Sequence, residues 1–389
     1  PNTSDLMNFH AQVLRNRTLE MPAMFAHFLP WFTIHGNEFP LHPDDAATVA
    51  KPPNVDDMRH WTDLRPGGEG YHRSHHHLPT IGIYDSRSPA VITWQIETAI
   101  EFGVAGFILN WYGRNSVENV ITLHWLRQLR TWNKDNPDRP FLYFISFDSQ
   151  AQKASEGKTP QTMQQDFEYI RDHLMTDAYL HRDNRPVFST FPYEDNCAEW
   201  RAALDAVFGP GQADLLWINK CPDQGENGCF PWVRPDDEAM DYTQLFAWKD
   251  PNNAGDHFLR NVYRSAGIKG RPGDYVMAGV WPGFNDQLVS WAWNPEPMNP
   301  RIRPRVIVRE TRRGNTLDLT WLAYIEYVRR WAAGAPDAQT PAPLIQLITW
   351  NDYAETTTLE PTRDYGTVPL ELCRQRLMEA RSIWKTAMK

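Results

Sequence analysis

Eight short runs of apolar, β-branched or aromatic residues alternate with longer helical patterns along 389 residues, and no repeat, low-complexity tract or interdomain linker breaks the alternation. Together these observations predict an α/β fold, a (β/α)8 barrel forming a single domain over residues 1–389 with long βα loops. The length is too great for one small domain and suits such a barrel.

The elements follow in order. The first strand is read at 23–29, where apolar residues run up to Pro30, and the first helix at 89–102, opened by Ser88-Pro89, a hydroxyl that can cap and a proline suited to the first turn. A strand at 105–109 and a helix at 116–133 follow, then a strand at 141–147 and a helix at 159–175, opened by Thr159-Pro160. Strands at 186–190 and 215–219 flank a helix at 198–208. Beyond them the helical signal weakens, and 221–241 reads as an irregular loop. The sixth strand is placed at 244–247 with a helix at 254–266, the seventh strand at 275–280 with a helix at 316–333, and the eighth strand at 344–349 with a closing helix near 370–385. Two long insertions, 33–78 and 282–313, are rich in proline, asparagine and charge and carry Trp61, Trp291 and Trp293. On a barrel, such loops at the strand C-terminal ends build the substrate groove.

Composition narrows the partners. The chain has 17 Trp, 14 Tyr and 18 Phe but a formal net charge of −9, so it offers ring surface and little attraction for polyanions. Nucleic acid and anionic membrane surfaces are therefore not expected partners. No apolar run reaches the roughly 18 residues a membrane span needs, so no membrane insertion is expected. The chain begins at Pro1 without a basic and apolar leader, which fits a removed signal peptide or a trimmed chain equally. A secreted or periplasmic protein is the expectation. Of the cysteines, Cys197, Cys221, Cys229 and Cys373, only Cys221 and Cys229 lie close enough in sequence to suggest a bridge, against the alternative of buried thiols.

No cofactor is expected. The cysteines lack paired CxxC spacing for zinc. The run His72-Arg73-Ser74-His75-His76-His77 has no carboxylate at a recognisable ligand interval, and reads as a loop facing solvent or sugar rather than metal. Pro66-Gly67-Gly68-Glu69-Gly70 lacks the lysine and the strand-to-helix setting of a phosphate loop and reads as a turn.

The most informative stretch is Leu347-Ile348-Thr349-Trp350-Asn351-Asp352-Tyr353-Ala354-Glu355, an apolar strand running into two carboxylates three residues apart among aromatic rings. Glycosidic hydrolysis needs one carboxyl to protonate the leaving oxygen and another to act on the opposite side of the sugar. At that spacing both side chains can reach one cavity, and two nearby carboxylates raise one another's pKa. The structural alternative is that they cap the following segment or pair with Arg312 or Arg363. Glu360 reads as a structural loop carboxylate. Other strand ends repeat the mixture of polar and aromatic residues: His27 and Trp31, Asn110-Trp111-Tyr112, Asp148, Tyr193-Glu194, Asn219-Lys220, Trp248 and Trp281. Any one of these is ordinary at a strand end; as a set, beside carboxylates, they point to an oligo- or polysaccharide ligand.

On these residues the chain resembles glycoside hydrolase families 71 and 99, from about residue 23 to residue 361. It is similar to family 71 endo-α-1,3-glucanases at Phe25-Ala26-His27-Phe28 and at Thr349-Trp350-Asn351-Asp352-Tyr353, followed by a small residue and Glu355. It is similar to family 99 endo-α-mannosidases at Pro30-Trp31-Phe32, Tyr84-Asp85-Ser86-Arg87-Ser88-Pro89, Trp111-Tyr112, Pro282-Gly283-Phe284-Asn285-Asp286, and from Asn351 to Pro361. The resemblance implies a (β/α)8 enzyme acting on α-linked glycans, with Asp352 and Glu355 as the catalytic pair, Glu355 in the acid position, and Trp31, Tyr84, Asn110 and Trp111 lining the sugar site. With the other strand-end rings and Asn351 and Tyr353, the expected binding set is His27, Trp31, Tyr84, Asn110, Trp111, Tyr193, Trp248, Trp281, Asn351 and Tyr353. Asp352, Tyr353 and Ala354 depart from the Glu, Trp and His of the family 99 motif. The shorter Asp352 favours inversion, with Asp352 activating water. A non-catalytic carbohydrate-binding protein on a degenerate barrel is the alternative reading.

Overall fold

The structure, a computed structural model, describes residues 21–36, 38–49, 53–64, 71–149, 160–192, 196–219, 224–233, 275–289, 306–307, 309–311, 314–335, 341 and 343–389. Eight parallel strands form the barrel: β1 (Ala23–Phe28), β2 (Val104–Trp111), β3 (Leu142–Asp148), β4 (Arg185–Phe191), β5 (Asp214–Ile218), β6 (Gly228–Phe230), β7 (Tyr275–Val276 and Ala278–Val280) and β8 (Leu344–Leu347). Neighbours in space follow chain order, and β8 returns to β1 with Phe25 beside Gln346. The sheet closes through β7, whose first half pairs with β6 and whose second half pairs with β8.

The strands read as nearly unbroken apolar runs because both of their faces are covered, one by the barrel interior and one by helices. Side chains still alternate between those faces. Phe25 meets Phe144 inside, with ring centroids 5.7 Å apart, and a Cβ at Gly106 would run into the Phe25 ring and the Leu142 carbonyl oxygen. Glycine at this position lets the two strands' interior rings share one level.

Six helices flank the described barrel: α1 (Pro89–Glu101), α2 (Val117–Asp135), α3 (Pro160–Tyr169, widening into a π turn at Ile170–Leu174), α4 (Cys197–Phe208), α5 (Thr316–Ala332) and α6 (Val368–Ala387). Ser116 caps α2 by accepting the Asn119 N–H at 3.0 Å. Ser88 stands at the N-cap of α1 without a capping hydrogen bond, so that helix starts on the fixed φ of Pro89 alone. Among the described residues no helix is long and apolar enough to cross a membrane.

One expectation changes. The sixth barrel position is filled by Gly228–Phe230, inside the stretch read as irregular loop, while the expected strand at 244–247 and helix at 254–266 lie outside the described residues. Three residues headed by glycine are too few to carry a strand pattern. Pairing with β5 on one side and β7 on the other makes them one. The Cys221 end of the expected bridge also lies outside the described residues; Cys229 is disulfide-bonded, and Cys197 and Cys373 are buried free thiols.

A second, smaller apolar cluster sits over the C-terminal end of the barrel: Leu29, Trp31, Phe32, Trp61, Tyr84, Val289, Tyr353 and Ala354. It joins the end of β1, the 33–78 insertion and the turn after β8. The Asp85–Arg87 ion pair (2.7 Å) pins the same insertion, because the Arg87 guanidinium also donates to the carbonyls of His35 and Gly36, each at 2.7 Å.

Candidate active site

The turn after β8 is built on its own hydroxyls and amides. Thr349 Oγ1 accepts the Asp352 N–H (2.9 Å), Asp352 Oδ1 accepts the Glu355 N–H (2.8 Å), and the Trp350 N–H reaches the His27 carbonyl across the end of β1 (2.7 Å). Asp352 thus stands at the C-terminal end of the barrel with one oxygen committed to backbone, and Glu355 follows on the same turn, half-buried. Asp352 is 4 % exposed. Burial pushes its carboxyl up to about 7, against the pull of the Glu355 and Ala354 N–H groups.

Glu360 has the opposite character. Its Oε2 accepts the hydroxyls of Tyr84 (2.9 Å) and Tyr353 (2.6 Å), and its Oε1 accepts Gln95 Nε2 (2.7 Å) and Trp350 Nε1 (2.9 Å). Burial raises its pKa while these four donors oppose the shift. With its lone pairs spent it holds the turn. Asn351 also serves the turn, accepting the Leu29 N–H (2.8 Å) and donating to the Leu29 carbonyl (3.0 Å) and the Tyr84 hydroxyl (3.3 Å). Tyr84, Asn351 and Tyr353, expected to line the sugar site, are therefore buried supports whose polar atoms are committed to protein partners.

Trp111, expected to line the sugar site, also has its polar atom committed to a protein partner. It is fully buried on the helix side of β2, donating to Asn119 Oδ1 of α2 (3.0 Å) and stacked on Tyr169 of α3. Strand alternation puts its neighbours Asn110 and Tyr112 on the other side. Asn110 donates to Asp148 Oδ2 at the end of β3 (3.3 Å), and Tyr112 accepts the Trp31 indole N–H (2.8 Å). Trp31 stacks in turn on His60, centroids 4.4 Å apart.

His27, on β1, lies edge-on between Phe191 (5.5 Å) and Trp232 (4.8 Å). Burial lowers its pKa to about 3, with the nearby Asn110 opposing, so the ring is neutral at any working pH. Neither ring nitrogen makes a hydrogen bond of ordinary geometry. Trp281 is buried at the end of β7, its backbone tied to Thr320 of α5. Tyr193 and Trp248 lie outside the described residues. Sequence reading passed over Trp232, because it follows the short strand hidden in the apparent loop.

The histidine run is dispersed. His77 pairs with Asp364 (2.7 Å) and His75 stands edge-on to Trp61 (5.6 Å). Among the described residues no three His, Cys, Asp or Glu side chains gather as a ligand set.

Chemically, the mouth joins a buried carboxyl whose pKa sits near neutrality, a phenol, an amide-held aspartate and a collar of rings, with Glu355 following three residues on from the buried carboxyl. No protein-family model matches the chain, and no curated protein does. Among solved structures the chain is similar to the GH99 endo-α-mannosidase of Bacteroides thetaiotaomicron, with a TM-score of 0.58 and 17 % identity over 92 % of this chain and 98 % of that one. It is also similar to a glycoside hydrolase-like protein, with a TM-score of 0.52 and 14 % identity over 86 % and 99 % of the two chains. At such identities the likeness is one of fold, the (β/α)8 barrel.

Proposed function

We propose that this protein is a glycoside hydrolase that cleaves α-linked glycans, of the α-1,3-glucan or α-mannan kind, through the carboxyl pair Asp352 and Glu355. The observation that carries the reading is Asp352, a carboxyl buried at the barrel's C-terminal end, raised to about 7, with Glu355 fixed three residues on by its N–H. A base whose conjugate acid titrates near the working pH accepts a proton strongly while remaining ionised. Asp352 takes that role and activates water. Glu355 protonates the leaving glycosidic oxygen. The water attacks the anomeric carbon as the bond to the leaving oxygen breaks, so the anomeric configuration inverts; this route calls for carboxyls roughly 6.5–9.5 Å apart.

Two further observations support the reading. The fold is shared with proteins whose names denote glycoside hydrolases, and in a barrel the strand ends that carry Asp352 are where chemistry is built. The disulfide at Cys229 supports a secreted or periplasmic setting, where such bonds persist.

Reducing-sugar release from α-1,3-glucan, α-1,6-glucan and α-mannan tests the proposal, with the unmutated protein and Glu355→Gln run in parallel. Cleavage of one polymer that disappears in the variant supports the reading. Binding of a polymer by both proteins with cleavage by neither replaces it with a carbohydrate-binding protein.

A further inference from the structure

Helices α1 and α2 pack against one another, as do α5 and α6, but α6 and α1, neighbours outside the seam where β8 meets β1, barely touch. A cleft of about 770 Å3 lies between them. Its lining reaches Thr80 and Pro361, the residue after Glu360, so it borders the segment that carries Asp352. Trp94 of α1 lines the cleft half-buried, and among the described residues no ring stacks on it and no group accepts its indole N–H. Thr98, one turn on, is 8 % exposed, yet its hydroxyl also has no partner among the described residues. From α6 come Gln375, exposed and with its amide free, and Arg374, which donates to the Glu101 carbonyl (3.4 Å) and makes no ion pair among the described residues. A hydroxyl buried to this degree ordinarily finds a protein, water or ligand partner.

We infer that the cleft between α1 and α6 is a second glycan site, separate from the barrel mouth, holding a stretch of neutral polysaccharide. A sugar presents C–H bonds on its faces and hydroxyls around its rim, each both donor and acceptor. The Trp94 ring takes a face; Thr98, Gln375 and Arg374 take hydroxyls. The volume lies within the range of ligand sites. An apolar partner would seal the Thr98 hydroxyl and the Gln375 amide away without hydrogen bonds, at a cost it could not recover. Glu101 and Glu371 outnumber Arg374 in the lining and disfavour an anionic ligand. The ligand class rests on the glycosidase reading above; the site itself shares no residue with it.

The test measures polymer retention and turnover separately. Retention is read in the Glu355→Gln background, by co-sedimentation with insoluble α-1,3-glucan and by retardation in native gels containing α-1,6-glucan or α-mannan. Turnover of a short α-glycosyl fluoride is read with Glu355 intact. Trp94→Ala is expected to weaken retention about three- to tenfold, the worth of one aromatic contact, and Gln375→Ala to weaken it less. Neither should change the fluoride rate or the unfolding midpoint. If Trp94→Ala lowers the midpoint, Thr98→Val decides instead, because it removes the hydroxyl and keeps the shape; it should weaken retention at an unchanged midpoint. Retention equal to that of the parent in the deciding variant overturns the cleft site and leaves the glycosidase reading standing. A fluoride rate that falls together with retention also overturns it, by making the cleft a support of the mouth. A dimer that Trp94→Ala splits gives the cleft to a second copy of the chain and overturns the glycan assignment. Retention lost in the variant of a protein that cleaves no polymer supports the cleft site while removing the glycosidase reading, and no retention on any polymer overturns both.

Discussion

Replacing Asp352 with Asn should stabilise the protein at alkaline pH while abolishing turnover. The carboxyl moves from an ordinary 3.8 to about 7 because folding strips it of water. A group whose folded pKa is raised binds protons more tightly in the folded state, so its contribution to stability is full below the unfolded value and is lost as pH rises through the folded one. Here the window runs from about pH 4 to about pH 7. A shift of about three units at about 1.36 kcal/mol each gives about 4 kcal/mol lost across it. Asn has nearly the same shape, keeps an oxygen for the Glu355 N–H, and carries no charge to desolvate. It therefore avoids that loss, less a smaller cost for its unpaired NH2 group. With an unfolding entropy of about 2.1 cal/mol/K per residue over 389 residues, about 4 kcal/mol corresponds to a midpoint shift of about 5 °C. Thermal melts of both proteins at pH 4 and pH 8 read the effect directly. The variant should melt at or slightly below the unmutated protein at pH 4 and several degrees above it at pH 8. A midpoint difference that is the same at both pH values would refute the desolvation argument, and with it the assignment of Asp352 as the group titrating near neutrality.

The same titration predicts kinetics: as a base, Asp352 must be ionised, so kcat/KM should rise with pH through about 7, and a rate that falls there instead would exchange the roles of Asp352 and Glu355. Glu355→Gln should still turn over an α-glycosyl fluoride, whose leaving group needs no proton, while losing the polymer; loss of both would remove the acid role. Proton NMR of the first-formed product should show the anomer opposite to the substrate's, and retention would exclude inversion. Glu360→Gln should destabilise the fold by about 2–5 kcal/mol, because an NH2 group would face donors that now meet a carboxylate oxygen. A variant that melts with the unmutated protein would contradict the four-donor arrangement.

What could be read in the sequence divides along a physical line. Strands buried on both faces announce themselves as apolar runs, so β1, β2 and β8 stand close to where the pattern puts them. Gly228–Phe230 does not announce itself, because its strand character comes from its neighbours in the barrel rather than from its own residues. The candidate carboxyls were visible because the strand that precedes them is. Choosing the residues around them was harder. Residue type marks Trp111 and Tyr112 alike as strand-end aromatics, and only the phase of the alternation, set by Asn110 facing Asp148, assigns one to the helices and the other to the mouth. That phase was open to a count from Asn110. The support beneath the turn was not, since Tyr84 meets Glu360 across 276 residues.

Asp352 and Glu360 show why burial alone does not identify a catalytic group. Both are buried carboxyls on one turn, at 4 % and 1 % exposure, and in both desolvation raises the pKa. They differ in donors. Glu360 receives four side-chain hydrogen bonds, two to each oxygen, and has no capacity left for a substrate. Asp352 receives backbone N–H groups on the side of its own turn, which fixes its orientation and leaves acceptor capacity over. A carboxyl that is desolvated and fully satisfied is a clamp; one that is desolvated and partly satisfied still has a proton affinity to spend. The clamp also makes the second state tenable, because Tyr84, Gln95, Trp350 and Tyr353, converging on Glu360, hold the turn in which Asp352 is kept from water.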